Sequence, residues 1–275
     1  MTLPLPGLRR DESRPSQGES SGLAEVPRRD KLQLLVQGAS GRLGRVIVEI
    51  AQSQTDLTVT GASRQHPAEK LIAAADVVID VSAPTATVAM ARLCAGSKIP
   101  LVVGTTGHSE EQLETLRDAS RACPLLLAPN FSIGVNLLFW LAETTAATLG
   151  KDFDMEIVEL HHRLKKDAPS GTAKRLAELI AAARRLNYEK NARHGREGLV
   201  GERTSDEIGI HAVRGGDIIG EHTVLFAGLG ERLELTHKAS SRETFARGAI
   251  RAARWIIGRA PGFYEMRDAL GLGKE

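Results

Sequence analysis

The sequence has 275 residues, of which 42% are hydrophobic and 25% charged, and its formal net charge is +2. This composition is typical of one or two globular domains and excludes a fibrous or largely disordered chain. Because 36 basic residues are spread among 34 acidic ones, we expect no nucleic-acid partner. No apolar run reaches the roughly 18 residues of a membrane span, so we expect a soluble, cytoplasmic protein with no membrane partner.

Residues 1–30 differ in kind from the rest of the chain. They are rich in Arg, Ser, Gly, Pro and acidic side chains and have no apolar period. Such a segment cannot bury enough apolar surface to order itself, so we predict a disordered extension. It lacks the apolar stretch of a signal peptide, and its acidic residues argue against an organellar transit peptide.

From Lys31 onward, short apolar runs alternate with segments of helical period. This alternation is typical of βα units around a parallel sheet. We therefore predict an α/β fold with a doubly wound parallel sheet. The predicted strands are 32–37, 57–62, 76–82, 99–104 and 124–128, and the predicted helices lie near 41–52, 68–74, 85–95 and 109–121.

The pattern changes after Asn130 and predicts a second, α+β domain. Two glycine-rich breaks, "VRGGDI" and "AGLGERL", join three of its strands and favour antiparallel pairing between them. The last helix is free to return to the first domain. The predicted elements are a helix over 134–149, a strand over 154–161, a helix from 171, strands over 208–213, 221–226 and 232–237, and a helix over 242–257.

A glycine turn, "VQGASGRLGRVI", follows the first predicted strand and places Gly38, Gly41 and Gly44 across the start of a helix. Glycines at such a turn let the backbone approach a pyrophosphate, and the helix N-terminus attracts the anion. The spacing is GxxGxxG rather than GxGxxG, and glycine-rich turns also occur without a ligand. The position between strand and helix favours a nucleotide site.

The end of the second predicted strand bears on the choice of nucleotide. NAD sites usually carry an acidic residue there for the ribose 2′-hydroxyl, whereas this chain has Ser63 and Arg64. A guanidinium could instead bind a 2′-phosphate. We therefore predict NADPH as the preferred cofactor, with NADH as a second one; the alternative is that Arg64 is a solvated loop residue.

The stretch "ELHHRLKKDAPSGTAKRL" combines two histidines, two lysines and a helix start. If the strand ends at His161, the turn can bring His161 and His162 into one cleft with Lys165. Ser170 is a candidate N-cap, and the helix start after it offers backbone N–H groups to a carboxylate. The stretch therefore predicts a site for a small polyanion beside a proton donor.

Other interpretations of these residues compete with that site. Paired histidines could bind a metal, but no HExxH motif or third ligand follows at a suitable spacing, so we predict no metal. Cys94 and Cys123 match no metal-ligand spacing and are expected to be reduced core thiols. A lysine pair is usually no more than solvated. Because these lysines occur together with a predicted nucleotide domain and a capped helix start, we favour a functional role for them.

The chain resembles the dihydrodipicolinate reductase family, the 4-hydroxy-tetrahydrodipicolinate reductases of lysine and diaminopimelate synthesis. The resemblance covers Leu32 to Leu272. Of its motifs, "HHRLKKDAPSGTA" is the most specific. The motifs, in the order of the family, are "GASGRLGR", "VVGTTG", "APNFSIGVN", "ELHHRLKKDAPSGTA", "RGGDIIGEHTVLF" and "ERLELTHKASSRETFARGA".

This resemblance implies a Rossmann-like NAD(P)-binding domain, residues 31–132 and 242–275, and a substrate-binding and oligomerisation domain, residues 133–241, whose mixed sheet forms a homotetramer. It implies reduction of a cyclic imine dicarboxylate by NAD(P)H. The implied catalytic residues are His161, as general acid, and Lys165; the implied substrate contacts are His162, Gly171, Thr172 and Arg242. The implied cofactor contacts are Gly38, Ala39, Ser40, Gly41, Arg42, Leu43, Gly104, Thr105, Thr106, Ala128, Pro129, Asn130 and Phe131.

The chain departs from the family's pattern at two points. Ser63 stands where other members often carry an acidic residue, and the stretch after it, "RQHPAEKLIAAA", is short. Two other functions stay open at this stage. One is a related NADPH-dependent reductase of another small imino or amino dicarboxylate, and the other is a non-catalytic NADP-binding regulator, which would have no reason to keep the histidines and Lys165.

Overall fold

The computed structural model describes residues 31–63 and 66–272. From Lys31 onward the chain forms one compact unit, which contains a six-stranded and a five-stranded sheet. The predicted extension, residues 1–30, and the predicted cofactor residue Arg64 lie outside the described residues. The predicted domain boundaries fall in the connections between the two sheets and stay a prediction.

The first part of the chain alternates strands and helices as predicted, with bounds that shift by one to three residues at most ends. The strands are β1 (Leu32–Gln37), β2 (Leu57–Gly61), β3 (Val77–Asp80), β4 (Leu101–Val103) and β5 (Pro124–Leu127). The helices are α1 (Arg42–Gln52), α2 (Ala68–Leu71), α3 (Pro84–Ser97) and α4 (Glu110–Ser120), with a 3-10 turn over Ile72–Ala74.

The second part of the chain contains the predicted elements and four short elements that no apolar periodicity in the sequence predicts. The helices are α5 (Ile133–Leu149), α6 (Gly171–Ala183), α7 (Tyr188–Asn191), α8 (Glu243–Ile256) and α9 (Met266–Ala269). The strands are β6 (Asp154–His161), β7 (Ala192–His194), β8 (Ile208–Arg214), β9 (Gly220–Ala227), β10 (Arg232–Ala239) and β11 (Gly262–Tyr264), and a 3-10 turn covers Gly150–Asp152. The four unpredicted elements, α7, β7, α9 and β11, have three or four residues each.

The first sheet is parallel throughout, in the order β11-β5-β4-β3-β1-β2. Helices cover both faces: one core contains Ile47 of α1 and Ala253 of α8, and the other contains Met90 of α3 and Leu116 of α4. A sheet buried on both faces reads as continuous apolar runs, which explains why its strands were visible in the sequence. The doubly wound, Rossmann-like fold is confirmed.

The second sheet is mixed, in the order β10-β9-β6-β8-β7. Strand β9 is antiparallel to β10 and to β6, whereas β6 is parallel to β8. The predicted antiparallel pairing of β8 with β9 is wrong, because β6 lies between them. The glycine-rich connection crosses the end of β6 instead, where Gly215 N donates to His161 O at 2.9 Å.

Helices α5 and α6 cover one face of the second sheet, where Leu138 and Leu176 pack against Ile157 and Phe226. Along β6 and β9, buried side chains on this covered face alternate with partly exposed side chains on the opposite face, which we call the open face. Cys94 and Cys123 are free, buried thiols in the core of the first sheet, as expected. Among the described residues no helix combines the length and apolarity needed to cross a bilayer.

Candidate active site

The turn between β1 and α1 can be built only with glycine at two positions. Gly38 has a φ of 81°, and a Cβ on it would lie 2.6 Å from the Val81 carbonyl oxygen. A Cβ on Gly44 would lie 2.1 Å from the Gly38 carbonyl oxygen. Helix α1 begins after Gly41 with no side-chain cap, so its first backbone N–H groups are open to an anion. The turn therefore leaves an uncapped helix start next to a closely approaching backbone, which is compatible with a bound pyrophosphate.

A cavity of about 600 Å³ opens beside this turn. It lies at the carboxyl ends of β1, β3 and β4, the edge at which open α/β sheets bind their ligands. Gly104 faces the ring of Phe131, and a Cβ on Gly104 would lie 2.3 Å from that ring. The cavity is lined by Gly41, Arg42, Leu43, Val46, Val81, Ser82, Ala83, Pro84, Gly104, Thr105, Thr106, Arg242 and Phe245.

The predicted cofactor residues are not all at this cavity. Six of them line it: Gly41, Arg42, Leu43, Gly104, Thr105 and Thr106. Gly38, Ala39 and Ser40 form the turn next to it, and Phe131 is buried beneath Gly104. Ala128 and Pro129 line a separate, largely apolar cavity of about 320 Å³ with Phe139 and Trp140. The residues present thus fit a dinucleotide at the glycine turn and the loops after β3 and β4.

Asp80, at the end of β3, was not predicted as part of the site. Its side chain is buried, and one carboxylate oxygen accepts from Ser82 N at 2.9 Å and from Ser82 Oγ at 2.5 Å. Ser82 N also donates to Thr105 Oγ1 at 3.0 Å. Burial raises the pKa of Asp80, although hydrogen bonds from Ser82 oppose the rise. Asp80 therefore fixes Ser82, and Ser82 connects the loops after β3 and β4 that line the first cavity.

A second cavity, of about 230 Å³, contains most of the predicted catalytic and substrate-binding residues. It adjoins the first because Arg242 and Phe245 line both. Gly171 is the one predicted residue of this group that does not line it; Gly171 is exposed at the first position of α6. The cavity is lined by Asn130, Val135, His161, His162, Lys165, Thr172, Ile219, Gly220, His222, His237, Ala239, Arg242 and Phe245.

The two neighbouring histidines share this cavity because β6 ends at His161. The chain then turns, and Lys165 N donates to His162 O at 3.1 Å. Lys165 Nζ pairs with the exposed carboxylate of Asp167, at 2.9 and 2.8 Å from its two oxygens. The predicted turn is confirmed, and it brings two imidazoles and an ammonium group to one wall.

Glu159 lies behind His161 and has no exposed side-chain surface. Its oxygens accept from His161 Nδ1 at 2.5 Å, from Arg214 Nη1 and Nη2 at 2.8 Å each, and from Ser170 N at 3.0 Å. Burial alone would raise the pKa of Glu159, but the hydrogen bonds from His161, Arg214 and Ser170 outweigh it and lower the pKa to about 2. Glu159 is therefore a carboxylate across the physiological pH range.

Ser170 is the N-cap of α6, as predicted. Its hydroxyl accepts from Ala173 N at 3.1 Å and lies 3.0 Å from His222 Nε2. Thr172 is the second residue of α6, and its Oγ1 accepts from Asn130 Nδ2 at 3.3 Å. Asn130 thus connects the loop after β5 to the start of α6.

His222 on β9 and His237 on β10 were not found by sequence reasoning. Burial, together with the nearby His161, lowers the pKa of His222 to about 3, and burial also lowers the pKa of His237. Both shifts favour the neutral ring at physiological pH. Within residues 31–63 and 66–272, no group of three or more His, Cys, Asp or Glu is arranged to hold a metal ion.

Comparison with known proteins assigns both parts of the chain to one family. Residues 32–131 match the N-terminal model of dihydrodipicolinate reductase, and residues 134–270 match the C-terminal model. A 4-hydroxy-tetrahydrodipicolinate reductase from Akkermansia muciniphila is 49% identical over 245 residues, covering 88% of this chain and 99% of the relative. Another from Hahella chejuensis is 45% identical over 265 residues, covering 87% and 99%.

A solved structure gives the same assignment at the level of the fold. The dipicolinate-bound dihydrodipicolinate reductase from Paenisporosarcina sp. TG-14 superposes with a TM-score of 0.70 at 26% identity, covering 86% of this chain and 97% of that one. A probable dehydrogenase from Thermotoga maritima, with a TM-score of 0.52 and 12% identity over 88% of this chain and 93% of its own, shares the fold alone. From its two matched segments and its relatives, the chain belongs to the dihydrodipicolinate reductase family.

Proposed function

We propose which residues bind the cofactor, bind the substrate and donate the proton in the reaction that this chain catalyses. That reaction is the NAD(P)H-dependent reduction of 4-hydroxy-tetrahydrodipicolinate in the diaminopimelate route to lysine. The observation that carries the proposal is the shared wall of the two cavities, formed by Arg242 and Phe245. A cofactor in the first cavity and a small dicarboxylate in the second would meet there. The curated relatives are named for this reaction, which favours it over the regulator and the reductase of another dicarboxylate.

On the cofactor side, the glycine turn and the start of α1 would hold the pyrophosphate, together with Arg42 and the loop residues Gly104 to Thr106. Asp80 binds Ser82, and Ser82 in turn binds Thr105, so the loops after β3 and β4 are held next to each other. When bound, the reduced nicotinamide supplies a hydride to the substrate ring. Asn130 and Phe131 would lie on its substrate side, next to the second cavity.

His161 is the general acid in this proposal. Its Nδ1 donates to the Glu159 carboxylate, so the proton that it gives up is the one on Nε2. Hydride addition leaves negative charge on the ring, and a proton from Nε2 neutralises it. A positioned general acid of this kind contributes roughly a hundredfold to ten-thousandfold in rate.

The substrate carboxylates would bind Lys165, Arg242 and the start of α6. Lys165 is paired with Asp167, and the side chain of Asp167 is 62% exposed. An exposed ion pair is worth little, so a substrate carboxylate can replace it. Gly171 and Thr172 offer backbone N–H groups and a hydroxyl at the positive end of α6, and His162 completes the wall.

NADPH is the proposed preferred cofactor, with NADH as a second one. The end of β2 carries Ser63 and then Arg64, with no carboxylate for a ribose 2′-hydroxyl. A guanidinium at Arg64 would favour a 2′-phosphate, because hydrogen bonds to a charged group contribute roughly 1.5 to 3 kcal/mol.

We propose that the enzyme works in the cytoplasm as a homotetramer built on the open face of the second sheet. Apolar side chains remain accessible there, among them Val213 on β8, which is 44% exposed. Leu199 and Val200 in the loop before β8 are also exposed. Light scattering on the purified protein measures the mass, and a monomer at micromolar concentration would refute this assembly.

The reaction itself is tested by mixing the enzyme with enzymatically generated substrate and following the oxidation of NADPH and NADH at 340 nm. We expect turnover with both and a lower Michaelis constant for NADPH. Pyridine-2,6-dicarboxylate should compete with the substrate and, in a soaked crystal, lie between His161 and Lys165. A bound inhibitor far from the two histidines would overturn the assignment of the second cavity.

A further inference from the structure

We infer that Glu159 is a positioning residue that fixes both the tautomer of His161 and the start of the helix that receives the substrate carboxylate. The inference rests on the proposed role of His161 as general acid. It adds a group that touches neither substrate nor cofactor, since Glu159 is absent from the lining of both cavities.

The first argument is the completeness of the contacts of Glu159. Its side chain has no accessible surface, and a buried carboxylate is costly unless it is fully paired. Oε2 accepts from His161 Nδ1 and Arg214 Nη1, and Oε1 accepts from Ser170 N and Arg214 Nη2. The carboxylate therefore cannot turn without leaving several donors unpaired, and it holds His161 in one orientation.

The second argument concerns the proton on His161. Because Nδ1 donates to a carboxylate that stays ionised, the neutral ring carries its hydrogen on Nδ1 and presents Nε2 as the acceptor. Once protonated at Nε2, the imidazolium faces the negative charge of Glu159 and is stabilised by it. A carboxylate orients the histidine of serine-protease triads in the same way.

The other charged and titratable groups around His161 do not provide this stabilisation. Arg214 on β8 is paired with Glu159, and Lys165 in the loop after β6 and Arg242 at the start of α8 are cations. The remaining neighbours are the imidazoles of His162, His222 on β9 and His237 on β10. Among the described residues, Glu159 is the carboxylate in contact with the ring.

The third argument is the link from Glu159 to α6. The Ser170 amide, 11 positions along the chain, donates to Glu159, and the Ser170 hydroxyl caps α6 through Ala173 N. One carboxylate thus sets the position of the proton donor and of the helix start. Glu159 therefore couples the position of the proton donor to the position of a carboxylate bound at α6.

The test is Glu159→Gln, which keeps the shape and removes the charge. We expect kcat to fall by at least about tenfold to a hundredfold, the range found when a group that orients a metal-binding histidine is removed, with the Michaelis constant for NADPH unchanged. The kcat/KM profile should shift along the pH axis, because the negative charge in contact with the proton donor is removed. Unchanged turnover and an unchanged profile would overturn the inference.

Glu156→Gln is the matched control. Glu156 lies three positions earlier on β6, on the opposite face, and binds Arg196, Arg203 and His211. Burial would raise the pKa of Glu156, but these bonds lower it to about 2, as for Glu159. A loss of stability alone should therefore appear in both variants, and a shifted pH profile only in Glu159→Gln. An equal shift in the control would also overturn the inference.

Two further measurements separate this inference from the proposed function. If His161→Gln retains turnover, the general acid is wrong, whatever Glu159 does; if His161→Gln loses turnover and Glu159→Gln does not, only the positioning role fails. In case the variants do not fold, ¹⁵N-histidine spectra of the unmodified enzyme report the tautomer directly. We expect the neutral ring of His161 to be protonated at Nδ1, and protonation at Nε2 would overturn the inference.

Discussion

The imidazole ring of His222 lies edge-on to that of His161, with the ring centroids 5.2 Å apart and the planes at 74°. Burial and the neighbouring His161 lower the pKa of His222 to about 3, whereas His161 contacts the Glu159 carboxylate. One imidazole thus stays neutral next to one that is placed to carry a proton. This asymmetry between adjacent rings leads to the first two predictions.

Replacing His161 by Gln should depress turnover much more than cofactor binding. The side chain lines the second cavity and not the first, so its loss should not weaken cofactor binding. Because the variant lacks the general acid, we expect kcat to fall at least about a hundredfold, the lower range for such a loss. The dissociation constant for NADPH, measured by fluorescence titration, should stay the same. His162→Gln is the comparison variant, and it should raise the Michaelis constant for the substrate more than it lowers kcat. Intact turnover in His161→Gln would remove the acid assignment.

His222 should make the folded state sensitive to acid. Its pKa is lowered from 6.5 to about 3 in the folded chain, so below pH 6.5 the unfolded chain binds a proton that the folded chain does not. The free energy of unfolding should therefore fall with decreasing pH, by about 1 kcal/mol per pH unit. Urea unfolding between pH 6.5 and 4.5 measures the slope; below 4.5 the lowered pKa of Glu159 adds its own loss.

His222→Gln tests the source of that slope. Gln can keep a hydrogen bond to Ser170 without titrating, so the slope between pH 6.5 and 4.5 should flatten. Some slope should remain, since burial also lowers the pKa of His108 and His237. A variant as acid-sensitive as the unmodified chain would show that His222 is not the group responsible.

Gly44→Ala should disrupt the cofactor turn. The new Cβ would lie 2.1 Å from the Gly38 carbonyl oxygen, so the backbone must shift, at a cost of about 1–3 kcal/mol. We expect a lower melting temperature and weaker binding of both NADPH and NADH by titration. Gly96→Ala in α3 is the control, because nothing lies within 4 Å of its Cβ position, and it should stabilise the helix by about 0.5–1 kcal/mol.

Asp80→Asn should stabilise the enzyme above neutral pH. Burial raises the pKa of Asp80, so the folded state favours the protonated carboxyl, and its contribution to stability is lost as the pH rises through that raised value. Asn carries no charge and can still accept from Ser82. We expect a higher melting temperature at pH 8 with cofactor binding retained, while Asp80→Ala, which lacks the acceptor, should bind NADPH more weakly. A melting temperature lowered at pH 8 in Asp80→Asn would contradict this account.

Arg64→Ala should reduce the preference for NADPH over NADH. Loss of a hydrogen bond between charged groups costs about tenfold to a hundredfold in affinity, and only NADPH has the 2′-phosphate that makes such a bond. The two Michaelis constants, measured in one preparation, give the ratio. If the ratio does not change, Arg64 is a solvated residue and the preference has another source.

The local features of the site could be predicted from sequence because they depend on neighbours in the chain. The end of β6 at His161 and the start of α6 at Gly171 match their predicted positions, since an apolar alternation and an N-cap serine mark them. The glycine turn is equally local, as the contact of Gly44 with Gly38 shows.

The rest of the site depends on pairing between distant strands. His222 and His237 reach the cavity through β9 and β10, and Arg214 reaches Glu159, 55 positions away, through β8. No local pattern states that β6 inserts between β8 and β9, so the hairpin prediction failed there. Glu159 was visible in the sequence, but its role depends on Arg214 being beside it.

The first sheet takes its outer strand, β11, from residues that follow the whole second sheet in the chain, and α8 packs on the same sheet. A ribosome must therefore translate the whole second sheet before the nucleotide-binding layer can close. For the same reason, exchanging that layer between related genes requires two crossovers, one on each side of the inserted second sheet. A single splice after β5 would yield a layer with an uncovered edge.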